Sequence, residues 1–378
     1  RVKGGRDNAF WTVRDIGESL LPYILAVYVN IEFHRLYAHA HMQCDYNIEN
    51  RKNPVSFCYI MHNARRANSL LKQCMELFEL LDRADATGGA AAELMERHGA
   101  AEVSIWHVRG EKGETDFIRF CIPGERGRFA GGTAPTIGIV GRLGGLGARP
   151  AVKGFVSDGD GALCALSAGL KLAEMSGHGD RLQGDVVVCT HICPNAPVVP
   201  HEPVLLMGSP VEDREMCRLE TEVPVDAILS VDTTKGNRIF CRRGFAITPT
   251  VKEGYILRVS ESLLDIMSRV TGRLPQVLPI TTQDITPYGN GIYHLNSIMQ
   301  PSCRVDTPVV GVAITTETAV AGCATGATQI MDVEAAARFL VETAKDFTAG
   351  VCQFFDAEEF ERLKELYGDR SGLYRGRP

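Results

Sequence analysis

The densest run of chemically competent side chains is residues 190–203, THICPNAPVVPHEP. His191, Cys193, His201 and Glu202 can each ligate a metal or move a proton, and Asn195 adds an amide that can contact a substrate. Pro194, Pro197, Pro200 and Pro203 stiffen the run and exclude regular structure. A stiff, loaded loop after an apolar strand reads as functional, although any single His in it can equally serve only backbone groups.

Four further clusters carry usable chemistry. In SDGDG (157–161), Asp158 and Asp160 stand where carboxylates bind a metal or where one caps the following helix. In GRLGGLGARP (141–150), Arg142 and Arg149 can hold an anion, but the run lacks both common phosphate-loop spacings and also reads as a tight turn. DTTKGNR (232–238) offers Asp232 as a metal ligand or cation partner, and Lys235 and Arg238 for a carboxylate or phosphate, or else forms a capped turn. TTETAVAGCATGAT (315–328) contributes Glu317 and Cys323. A nucleophilic thiol is open for Cys193 or Cys323, with no local His partner beside the latter. The polar run 281–294, TTQDITPYGNGIYH, is rich in donors and turn residues.

Each cluster follows a segment with strand or helix character. Apolar runs at 103–108, 116–122, 136–140, 154–156, 185–191, 227–232, 245–251, 255–259 and 308–316 read as strands. Helical spacing appears at 69–83, 90–98, 162–175, 260–270, 333–347 and 357–367, with Ser69 as a cap and Ser260 and Glu261 in the first turn of theirs. Near-continuous apolar strands alternating with helices predict an α/β fold, a three-layer, mixed and largely parallel sheet with helices on both faces. Ligands bind beyond the C-terminal strand ends of such sheets, which is where the polar clusters fall.

The 378 residues are 45% hydrophobic and 23% charged, and the formal net charge is −6. Without a clustered basic surface, nucleic acid is not an expected partner. No apolar run reaches the ~18 residues needed to span a bilayer. Twelve cysteines, none in a C-x-x-C pair, fit free thiols in a reducing compartment, so a cytoplasmic location is expected. The first 66 residues hold five of the ten tyrosines and four of the ten histidines but three of the 38 glycines. Residues 1–69 therefore read as an atypical extension, with a natural start expected near Leu70, and residues 70–378 as a single α/β domain.

Together GRLGGLGARP, VSDGDGA, THICPNAPVVPHEPV, GSPV, DTTKGNR, PTVKEGYILRVSE, ITTQDITPYGNG and GCATGAT resemble the bacterial family catalogued as domain of unknown function 1177, from about Leu71 to Tyr367. The order of elements more distantly resembles the di-zinc aminopeptidases with a phosphorylase/hydrolase-like fold. That second resemblance implies a bridging metal ligand at Asp158 and a later one at Asp232. Arg142 and Gly144 stand where it expects His-x-Asp, Cys193–Asn195 where it expects a Glu-Glu pair, and 322–328 holds no His.

The expectation is a metal-dependent hydrolase of a small amide or peptide-like substrate. Zn or Mn would be held by Asp158, Asp160, His191, His201 and Asp232, with Glu202 as general base. Arg142, Arg149, Lys235 and Arg238, with Asn195 and Glu317, would bind substrate. Two alternatives stay open: a metal-free protein binding a carboxylate or peptide in a degenerate cleft, and an enzyme using Cys193. A homo-oligomer is expected.

Overall fold

The computed structural model describes residues 69–142, 154–200, 206–234, 236, 239–280, 297–318 and 328–371. The chain divides into two units, Arg1–Arg65 and Arg66–Pro378, and every described residue lies in the second.

The helices are α1 (Leu71–Leu81), α2 (Gly88–Arg97), α3 (Asp160–Gly177), α4 (Asp213–Glu220), α5 (Glu261–Thr271), α6 (Ile330–Thr348) and α7 (Ala357–Tyr367). The strands are β1 (Ala101–Gly110), β2 (Gly113–Ile122), β3 (Ile137–Gly141), β4 (Val186–Ile192), β5 (Val198–Val199), β6 (Leu206–Met207), β7 (Ala227–Thr233), β8 (Gly244–Ile247), β9 (Val251–Lys252), β10 (Tyr255–Ile256) and β11 (Val309–Thr315). Nine of these strands form one mixed sheet in the order β1-β2-β4-β3-β7-β11-β9-β10, with β8 also on β11. Its centre, β4-β3-β7-β11, is parallel, and the flanking pairings are antiparallel. The β5–β6 hairpin stands apart.

Every residue of β3, β4 and β11 is buried, because both faces of the central strands are covered. Among the described residues the two covers differ in thickness. On one face Leu163, Leu166 and Leu170 of α3 and Ala336, Phe339 and Leu340 of α6 pack on Ile139, Val188, Leu229 and Val312, with α1, α2 and α5 in the same core. The other face has Met216 and Leu219 of α4 on Phe117 and Cys189. Beside them, Ile298 and Met299 of the 3-10 turn Ser297–Cys303 pack on Val140, Ile228 and Ala313.

Several elements differ from their sequence-based expectation. Ser69 is not the N-cap of α1, though its Oγ accepts from the Leu71 amide at 3.4 Å; the N-cap is Leu70, whose amide donates to the buried Glu334 carboxylate at 3.1 Å. Residues 154–156 form no strand but lead into a 3-10 turn, Ser157–Gly159, with the Phe155 amide on Asp82. The run 245–251 breaks into β8 and β9 around Thr248–Pro249, where proline cannot donate to a ladder. Ser260, expected in the first turn, is instead the N-cap of α5, accepting from Leu263 N at 3.3 Å. Among the described residues no helix is long and apolar enough to cross a membrane.

Candidate functional site

The site follows from strand register. Val140 on β3 is level with Cys189 on β4 and with Ser230 on β7. Two residues on, Arg142, His191 and Asp232 therefore share one row, and the two-residue period sends them to the face that α4 and the turn 297–303 cover. The row reads imidazole, guanidinium, carboxylate. All three side chains are buried, Arg142 and Asp232 completely.

Arg142 is fixed from the thin layer. Its Nη1 donates to the Glu220 carboxylate and lies 3.8 Å from Cys217 Sγ, and its Nη2 donates to Gln300 Oε1. Its backbone amide donates to Val231 O at 2.8 Å, continuing the β3–β7 ladder past the strand end. Burial opposes its charge, but Glu220, Cys217 and Asp232 outweigh it, so its pKa lies above the usual value. Glu220 goes the same way for another reason. Burial pushes its carboxyl up to about 7 against the pull of Arg142, and Asp232 and Asp213 add to the rise.

Asp232 accepts from the Ser297 hydroxyl and from the Thr233 amide, the latter at 2.7 Å. His191 stacks on Phe117 at 5.0 Å between centroids, and its Nδ1 lies 2.9 Å from Thr115 Oγ1. That hydroxyl donates to Ile192 O at 3.0 Å, so it accepts from the ring and places the imidazole proton on Nδ1. Burial first, and Arg142 second, hold His191 down at about 3. It is a neutral imidazole whose Nε2 carries the lone pair.

Asp158 and Asp160 stand across the strand ends from this row, at the start of α3. The segment is anchored by Thr233 Oγ1 on Ser157 O at 2.7 Å, and Asp160 accepts from Thr328 Oγ1 at 2.7 Å. The N-cap position of α3 is Gly159, between the two aspartates. Gly161 permits the close packing, since a Cβ there would lie 2.5 Å from Arg142 O and 2.7 Å from Val231 O.

Cys193 is buried, its Sγ donates to Glu114 O at 3.3 Å, and burial pushes its thiol up to about 11. A thiol so placed is not an activated nucleophile. Asn195 is exposed on the turn after β4, and Glu317 is exposed beyond β11. Arg149, His201, Glu202, Lys235, Arg238 and Cys323 lie outside the described residues.

The expected metal set is not brought together by the described residues. His191 and Asp232 are on strands separated by β3, about 10 Å apart by strand spacing, and the Arg142 guanidinium stands between them. A dication at that point would face a fixed, fully buried positive charge. Among the described residues no group of three or more His, Cys, Asp or Glu is arranged to hold a metal ion.

Thr115, Glu220, Ser297 and Gln300 have no counterpart among the residues the sequence singled out. One signal was available for Glu220: with Met216 and Leu219 it falls on the i, i+3, i+4 face of α4, an acid on the apolar stripe.

No curated protein matches the chain. Among solved structures, the chain is similar to the bottromycin maturation enzyme BotP in complex with Mn, at 14% identity and a TM-score of 0.43, over 80% of this chain and 76% of that one. That likeness is too loose to carry residue roles across. A family model described as Protein of unknown function (DUF1177) matches residues 106–376. With most of the chain matched, the protein belongs to that family.

Proposed function

We propose that the protein binds a small carboxylate-bearing or peptide-like ligand at the C-terminal ends of β3, β4 and β7, without a metal. The observation supporting this is the position of Arg142, a permanent cation between His191 and Asp232, held by Glu220 and Gln300. A guanidinium supplies fixed positive charge that neither needs loading nor tolerates a neighbouring dication. In this reading the neutral His191 accepts a ligand N–H or O–H at Nε2. Asp232 accepts from a ligand amide or ammonium, and Arg142 draws the carboxylate.

Thermal unfolding with EDTA and alanyl-alanine tests this. Saturating dipeptide is expected to raise the melting temperature by mass action, and added Zn or Mn to leave it unchanged. One equivalent of tightly bound metal in purified protein, with dipeptide binding or hydrolysis only when it is loaded, would overturn the reading. That result would favour metal-dependent amide hydrolysis, for which the burial of Asp158, Asp160 and Asp232 beside a neutral His191 speaks.

A further inference from the structure

Three buried features around Arg142 are left over from the ligand site. One guanidinium faces two carboxylates, Glu220 by direct contact and Asp232 from β7, while Gln300 Nε2 reaches a third, Asp213, at 3.4 Å. Among the described residues, Glu220 Oε1 has no hydrogen-bond donor, although the side chain is fully buried. Arg142 Nε–H likewise has no acceptor among them.

An ionised carboxylate oxygen buried without a donor is costly, and a proton on it removes the charge. A guanidinium with an idle Nε–H can take one more acceptor, and with Nη freed it presents the two-pronged fork that fits a carboxylate. We infer that Glu220 is a proton-operated latch on Arg142: ionised, it holds the guanidinium against α4; protonated, it releases Arg142 to grip the ligand's carboxylate. The inference rests on the carboxylate-binding reading above.

The surroundings of Glu220 favour the proton. Asp232 faces it from β7, and Asp213 and Cys217 from its own helix. Cys189 faces it from β4, and Arg142 beyond β3 is the cation among these groups. From the turn 297–303, Cys303 faces Arg142 and Cys217. Both thiols of the pair Cys189 and Cys217 are pushed up by burial, so neither adds charge near neutrality. The carboxyl's position near 7 then sets the working range.

Because the folded carboxyl binds its proton more tightly than the unfolded one, the native state is favoured at low pH, and that advantage is lost as pH rises to about 7. Glu220→Gln fixes the protonated shape. Unfolding midpoints of the wild type and E220Q are compared from about pH 5 to about pH 8. The wild type is expected to lose ground to the variant as pH rises; a difference flat across the range overturns the latch.

Should E220Q fail to fold, the infrared band of a protonated carboxyl in the wild type, lost as pH passes about 7, replaces it. Its absence at about pH 6 has the same overturning force. Alanyl-alanine binding separates the two claims. Wild-type affinity is expected to fall about tenfold from pH 6 to pH 8, tracking the protonated fraction, and to stay level in E220Q. Equal affinity at both pH values in the wild type overturns the latch. A sloping stability difference with no dipeptide bound at any pH overturns the ligand reading instead.

Discussion

Thr115 and His191 show how one hydroxyl sets the state of a site. With Thr115 Oγ1 donating to Ile192 O, the imidazole proton has one place to go. Thr115→Val leaves Nδ1–H buried without an acceptor and is expected to cost about 1–3 kcal/mol in denaturant unfolding. Removing Arg142 is worse, because Glu220 and Asp232 lose their counter-charge; Arg142→Ala is expected to cost about 3–5 kcal/mol near pH 7, less in mild acid. His191 and Glu220 pull stability in opposite directions. A histidine depressed to about 3 contributes stability above its ordinary 6.5 that is lost as pH falls. A carboxyl raised to about 7 from 4.5 contributes on the acid side and loses it as pH rises. Their slopes cancel between about 4.5 and 6.5, so wild-type melting temperature is expected to be nearly flat there in what these two groups contribute. At Cys193, slow iodoacetamide labelling of the native protein, traced by mass spectrometry, is the expected result.

Arg142, His191 and Asp232 were legible because each ends or follows an apolar run, and strand ends are where α/β sheets keep their chemistry. Their partners were not. Ser297 and Gln300 lie on a seven-residue 3-10 turn with Pro301 inside it, which has neither a helical nor a strand period to read. Helix α4 spans eight residues, DREMCRLE, five of them charged, too few turns for periodicity to stand out. By contrast the parallel strands were visible nearly to their ends, since burial on both faces imposes continuous apolar runs. The elements meet most tightly at Gly161. Gly161→Ala forces a Cβ onto two carbonyl oxygens that cannot swing aside, and a loss of about 1–3 kcal/mol in unfolding is expected.

Across the molecule, the parallel centre and its covering helices follow from alternation and burial alone, whereas the unequal covers do not. The thick layer carries the stability: Phe339, fully buried on α6 against Phe245, is expected to cost about 3–5 kcal/mol as Phe339→Ala. The thin layer carries the groups that hold the row. A 3-10 run this long is uncommon, for its hydrogen bonds are poorly directed, and opening it need not disturb any strand. Amide protons should therefore report two separate clocks. Those of Ser297–Cys303 exchange with solvent by a small local opening, while those of β3, β4 and β7 wait for unfolding of the whole sheet.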